Sequence, residues 1–197
     1  MDERLVAWAR AVKARRHGHG GVPVLWLFTD AARLGDPAAV VRHLPPGLCG
    51  VVLRDDAAPD RLALGRRLAA LCRQRRLALS VAGDWRLAAA LRAGLHARGG
   101  RRPGVAPRHI KVLTASAHGG ADLVRARRIG AATVFLSPAF ATRSHPDTPA
   151  LGQVRWGLIA RRGGGAAALG GIDGRSVRRL PPFWCRGAGA IGALRGA

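Results

Sequence analysis

The chain has 197 residues, 48% hydrophobic and 22% charged, and a formal net charge of +22 at pH 7. This length suits one domain with a sizeable core, and the balance of apolar and charged residues fits a soluble globular class. No apolar run approaches the roughly 18 to 20 residues that span a bilayer, and Arg10, Lys13, Arg15 and Arg16 interrupt the N-terminal apolar positions, which excludes the unbroken centre of a secretory signal.

Residues 4–16 are predicted to form a basic amphipathic helix, because Leu5, Val6, Trp8, Ala9 and Val12 recur at helical spacing. With the Gly-rich linker around Gly18 to Gly21 it makes a leading segment, 1–21, ahead of a domain over 22–197. Its expected place is across the bottom of that domain. The rival reading, a membrane-surface anchor, ranks second because the helix is short and carries one aromatic residue.

From Val24 the chain alternates. Val24 to Thr29 is a continuous apolar run ending in Asp30, and Asp36-Pro37 opens a helical stretch to Leu44, with Asp36 suited to the N-cap and Pro37 to the first turn. Gly50 to Arg54 is the second strand, and Pro59 to Gln74 a long helix. Leu77 to Ala82 is the third strand, followed by a short helix from Asp84 to Leu91. Gly94 to Ala97 is the fourth strand and His109 to Leu113 the fifth, with a helix from Gly120 to Ile129. Thr133 to Leu136 is the sixth strand, followed by a helix near 150–161. Ala166 to Leu169 is the seventh strand and Gly189 to Leu194 the eighth.

Eight apolar runs separated by helices or loops predict parallel strands buried on both faces, hence a small (β/α)8 TIM barrel. Two connections look reduced. The segment from Gly99 to Arg108 holds two glycines and two prolines, room for a vestigial fourth helix at most, and no eighth helix follows the eighth strand. The missing helix leaves open whether a second copy covers that wall in a homo-oligomer.

Cys49, Cys72 and Cys185 are isolated, an odd count without a C-x-x-C pair, so buried free thiols in a reducing cytoplasm are expected. Lys13 and Lys111 are the only lysines, and the arginines spread along the whole length without an aromatic–basic recognition motif. That pattern reads as compositional drift, not as a specific nucleic-acid site, although it attracts polyanions at low salt.

A TIM barrel carries its chemistry at the C-terminal ends of its strands. There, Gly170-Gly171 can bring backbone N–H groups close to an anion. Ser116, Thr142 and Ser144 supply hydroxyls, Arg195 supplies charge, and a helix beginning near Ser176 would point its positive end at the same place. An anion, most simply a phosphate, is the expected ligand. Asp84, with Asp30 or Asp55 and Asp56, has the ligand chemistry for Mg2+, or caps the helix that follows it. His118 and His145 are the candidate general acid or base. His96 also falls at a strand end, without a partner that the sequence names.

Ala115-Ser116-Ala117-His118, then Ser137-Pro138-Ala139-Phe140-Ala141-Thr142-Arg143-Ser144-His145, then Gly170-Gly171-Ile172 stand in an order and spacing that resembles thiamine phosphate synthase and its relatives, the thiazole tautomerases. The resemblance runs from Val24 to the C-terminus. It implies coupling of a pyrimidine pyrophosphate to a thiazole phosphate, with release of pyrophosphate and help from magnesium. Ser116, Thr142 and Ser144 would touch phosphates, Gly170 and Gly171 would cradle the thiazole phosphate, and Arg54 and Asp84 would serve the pyrimidine pyrophosphate and its metal. Several positions depart from the family pattern. Arg54-Asp55-Asp56 stands where the family has R-x-K, Gly83-Asp84 where it has Asn-Asp, and Gly99 to Arg102 where a second metal carboxylate is expected. His145 replaces a lysine, Arg195 a serine, and Pro138 is kept where tautomerases have histidine. Two function readings follow: a thiamine phosphate synthase, or a degenerate paralogue that binds a phosphorylated thiazole or similar heterocycle without turnover.

Overall fold

Eight short apolar runs pair as parallel strands and close into a single barrel in sequence order. The computed structural model describes residues 1–15, 21–56, 58–102, 104, 110–142 and 148–195. The strands are β1 (Leu25–Phe28), β2 (Cys49–Leu53), β3 (Ala78–Ala82), β4 (Gly94–Ala97), β5 (Val112–Ala117), β6 (Thr133–Leu136), β7 (Ala166–Ala168) and β8 (Cys185–Ala190). β8 closes on β1 with Leu25 opposite Ala188. The helices are α1 (Glu3–Arg15), α2 (Ala31–Leu34), α3 (Pro37–Val41), α4 (Arg61–Gln74), α5 (Trp85–Ala90), α6 (Gly120–Arg128) and α7 (Gly152–Arg162).

The barrel interior is filled by aromatic rings set against very small residues. Trp26 and Phe135 meet edge to face at 6.1 Å between ring centres, and Phe28 and Phe135 at 4.8 Å. Their neighbours on β7 and β8 are alanines and glycines. A Cβ at Gly50 would lie 2.6 Å from the Trp26 ring, and one at Gly189 would lie 2.7 Å from the Phe28 ring. Large and small side chains thus interlock inside the barrel, as close packing requires. A second, larger apolar layer lies between strands and helices, where Leu68 of α4, Leu123 of α6 and Trp156 of α7 are fully buried. Each such buried leucine contributes about 1.5–3 kcal/mol. The Trp156 indole donates to the Leu136 carbonyl at 3.0 Å, which satisfies its one polar atom.

Several expected boundaries shift. β5 begins at Val112 and runs through Ser116, so that Ser116 is a strand residue; His109 lies outside the described residues. β8 is Cys185–Ala190, and Gly192–Leu194, expected as strand, is a 3-10 turn. Glycine-alanine alternation suits either place, and pairing with Val24 and β1 decides for the earlier one. α2 was not foreseen. Its four residues are held by Asp55, whose carboxylate accepts from the Ala31 N–H at 2.9 Å. Among the described residues the connection after β4 holds a 3-10 turn, Arg98–Gly100. A Cβ at Gly100 would stand 2.6 Å from the Asp122 carbonyl, so glycine lets this turn lie directly on α6.

The N-terminal helix does not lie across the bottom. Asp2, at its start, donates its N–H to the Ala193 carbonyl just past β8 at 2.8 Å and accepts from Gly174 N–H at 2.7 Å. Lys13, at its other end, donates to the Gly47 carbonyl ahead of β2. α1 therefore runs antiparallel to the strands, and Leu5, Val6, Ala9 and Val12 are buried. It packs on β8, in the seat that an eighth helix would take. Amphipathicity fixes that one face must be covered, but not which wall of the barrel covers it.

Candidate functional site

The C-terminal strand ends open into one cleft of about 1880 Å3. Arg54, Ser116, His118, Thr142, Gly170, Gly171 and Arg195 all line it. Seven of the predicted site residues are thus gathered at one mouth. Ser144 and His145 lie outside the described residues, and Asp84 does not line the cleft.

The β7 and β8 ends form one side of the cleft. Gly170 and Gly171 take φ of +90° and +63°. A Cβ at Gly171 would approach the Ala141 carbonyl to 2.5 Å, so glycine is required both by conformation and by the loop after β6. Among the described residues the N–H groups of Gly170, Gly171, Gly192 and Ala193 have no hydrogen-bond acceptor. Backbone donors left unpaired at the ends of the last two strands suit an anion. The helix expected near Ser176 is a single 3-10 turn, Ser176–Arg179, too short to carry a useful dipole. Ser176 acts through its side chain instead: its hydroxyl donates to the Gly171 carbonyl at 2.8 Å. Asp173 accepts from the N–H groups of Ser176 and Arg175, chiefly the former, which holds its carboxyl below the usual range.

The cleft floor holds a residue that the sequence placed but could not explain. His96 is 3% exposed, and its Nδ1 lies 2.8 Å from the Thr114 hydroxyl, which in turn lies 3.1 Å from the Ser80 hydroxyl. The rings of Phe28 and Phe135 stand at 5.5 and 6.2 Å. Burial, and then the charges of Arg98 and Arg54, push the imidazole pKa down to about 3 from an ordinary 6.5. His96 is therefore neutral near pH 7, and it reaches the cleft as a hydrogen-bonding group rather than a proton source. Thr114 stands 18 residues after His96, and Ser80 lies 34 residues before Thr114, each in a different strand, so the only signal in the sequence was a histidine inside an apolar strand.

His118 is oriented from both sides. Its backbone N–H donates to the Asp122 carboxylate at 2.8 Å, and its ring Nδ1 lies 3.1 Å from the Ser137 carbonyl. A carbonyl can only accept, so Nδ1 carries the hydrogen and Nε2 of the neutral ring keeps its lone pair. The Ser116 hydroxyl accepts from the Gly99 N–H at 3.0 Å and keeps its own hydrogen for a ligand. Arg195 donates to the Arg33 carbonyl at 3.0 Å.

The carboxylates of the rim are spent on arginines. Asp30 pairs with Arg54 at 3.3 Å and Arg33 at 3.5 Å; Asp56 pairs with Arg61 at 3.2 Å and with Arg98. Asp84 caps α5 by accepting from the Leu87 N–H at 2.9 Å and faces Arg61 at 3.5 Å. Asp55 Oδ2 is buried without a partner, and among the described residues no three acidic, histidine or cysteine side chains gather into a cluster. Magnesium takes one or two protein carboxylates and completes its shell with water and substrate phosphates, and Asp55 is a cleft carboxylate with an oxygen to spare. Seven of the chain's eleven acidic side chains line the cleft beside five arginines. The large positive charge of the chain therefore sits elsewhere on its surface.

A parallel eight-stranded barrel whose backbone donors and hydroxyls meet at the strand C-termini is a ligand-binding or catalytic TIM barrel. The chain belongs to the thiamine monophosphate synthase family, whose model matches residues 26–194. In structure it is similar to a thiamine phosphate pyrophosphorylase from Pyrococcus furiosus, with a TM-score of 0.66 at 20% identity over 91% of this chain and 90% of that one. It is also similar to a thiamine phosphate pyrophosphorylase from Bacteroides thetaiotaomicron, with a TM-score of 0.53 at 18% identity over 87% and 84% of the two chains. No curated protein matches the sequence. Among the described residues no helix is long and apolar enough to cross a membrane.

Proposed function

We propose that this family member binds a phosphorylated thiazole, or a heterocycle phosphate of the same build, in thiamine metabolism. The reading rests on the unpaired N–H groups of Gly170, Gly171, Gly192 and Ala193 beside the hydroxyl of Ser116. They would hold the phosphate, and Arg195 would add charge. The ring would lie over the neutral imidazole of His96.

A thermal-shift titration with thiazole phosphate tests this, since a ligand of the native state raises its melting temperature. The expected result is stabilisation that Arg195→Ala weakens, with no thiamine phosphate formed when the pyrimidine pyrophosphate is added. Absence of any shift would refute binding. Magnesium-dependent product would favour the second reading, a thiamine phosphate synthase. Family membership and the free Nε2 of His118 at the cleft support that second reading.

A further inference from the structure

Away from the cleft, α4 and the end of α5 leave a groove of about 320 Å3 on the outer wall. α4 contributes Arg66, Ala69 and Arg73, spaced so that they share one helix face; the end of α5 contributes Ala90, Leu91 and Arg92. The groove shares no residue with the cleft, and no carboxylate lines it. Arg66, Arg73 and Arg92 make no ion pair or side-chain hydrogen bond among the described residues, whereas Arg67, the next residue on α4, is paired with Asp36. Three guanidinium groups around one small groove repel one another while it is empty. An anion carrying several charges relieves that repulsion and matches their planar donor forks.

The backbone supplies an independent observation. α5 ends in a Schellman motif: the Ala93 N–H donates to the Ala88 carbonyl and the Arg92 N–H to the Ala89 carbonyl. Arg92 sits at the left-handed position of this cap, φ 51°. α6 and α7 end in the same motif with glycine at that position, Gly130 at φ 77° and Gly164 at φ 72°. Arginine at Arg92 strains the backbone but keeps a third cation at the groove. Arg76 fills the same position at the end of α4, at φ 53°, and does not line the groove.

We propose that this groove binds a compact oligophosphate, a short run of linked phosphates such as the tail of a nucleoside triphosphate, through Arg66, Arg73 and Arg92. Its volume suits a small ligand, and its floor of Ala69, Ala90 and Leu91 brings no competing side-chain acceptor.

The experiment is isothermal titration of the full chain with magnesium-free tripolyphosphate at about 0.15 M salt, where surface charges are screened beyond about 8 Å. The expected result is saturable binding that Arg92→Gly weakens by about tenfold, the effect of losing one charged hydrogen-bonding group. Arg76→Gly should leave it unchanged. Both variants relax the same kind of cap, so loss of folding does not confuse the comparison. Equal effects of the two variants would overturn the proposal. So would binding kept in Arg92→Gly, which would place the anion in the cleft. A loss just as large on replacing Arg155, Arg161 and Arg162 of α7 by alanine would mark diffuse attraction and also overturn it. Binding of a single-stranded RNA through Arg92 with no response to tripolyphosphate would replace the compact ligand by an extended phosphodiester.

Discussion

Acidification should remove stability through His96. Its imidazole is neutral in the folded chain, with a pKa pushed down to about 3, and titrates near 6.5 once unfolded. The unfolded state therefore binds the proton first as pH falls. The stability tied to this group is fully present above pH 6.5 and is lost as pH drops towards 3. At pH 4.5, two units below the unfolded value, the loss is about 3 kcal/mol at 1.36 kcal/mol per unit. That is a large share of the roughly 5–15 kcal/mol typical of a domain. Urea denaturation at pH 7.5 and pH 4.5, on the natural chain and on His96→Asn, isolates the effect. Asparagine can keep a polar atom near Nδ1 and does not titrate. Repulsion among the arginines and titration of Asp173 act on both proteins alike and cancel in the comparison. The natural chain should lose about 3 kcal/mol more than the variant between the two pH values. Equal losses would mean that His96 is not the buried neutral group described.

Arg76→Gly should raise stability by about 1 kcal/mol, because it removes a side chain from a left-handed backbone position. A lower melting temperature in the variant would refute this. Gly50→Ala should cost about 1–3 kcal/mol, since its Cβ would press to 2.6 Å on the Trp26 ring inside the barrel; an unchanged denaturation midpoint would contradict that packing. Cys49, Cys72 and Cys185 are buried, and burial pushes each thiol up to about 12, so a thiol reagent at pH 8 should modify them only as fast as the chain unfolds. Rapid labelling of the native protein would be inconsistent with their placement.

The barrel was legible in the sequence because its signal is local. Buried parallel strands are short apolar runs, and Asp36 and Asp84 each cap the helix that follows them. The clustering of Ser116, Thr142, Gly170 and Gly171 at one mouth followed from the barrel, since every strand delivers its C-terminal end to the same rim. Boundaries failed where composition is uniform: β8 could not be placed within an alanine-glycine stretch until its register with β1 was known. What only the tertiary structure decided are relations between distant residues. α1 covers β8, His96 finds Thr114 and Ser80, and Arg61 and Arg98 neutralise Asp56 and Asp84, aspartates whose chemistry alone suited a metal. Residue types state which groups a strand end carries. The charge those groups keep depends on which neighbours the closed barrel presses against them.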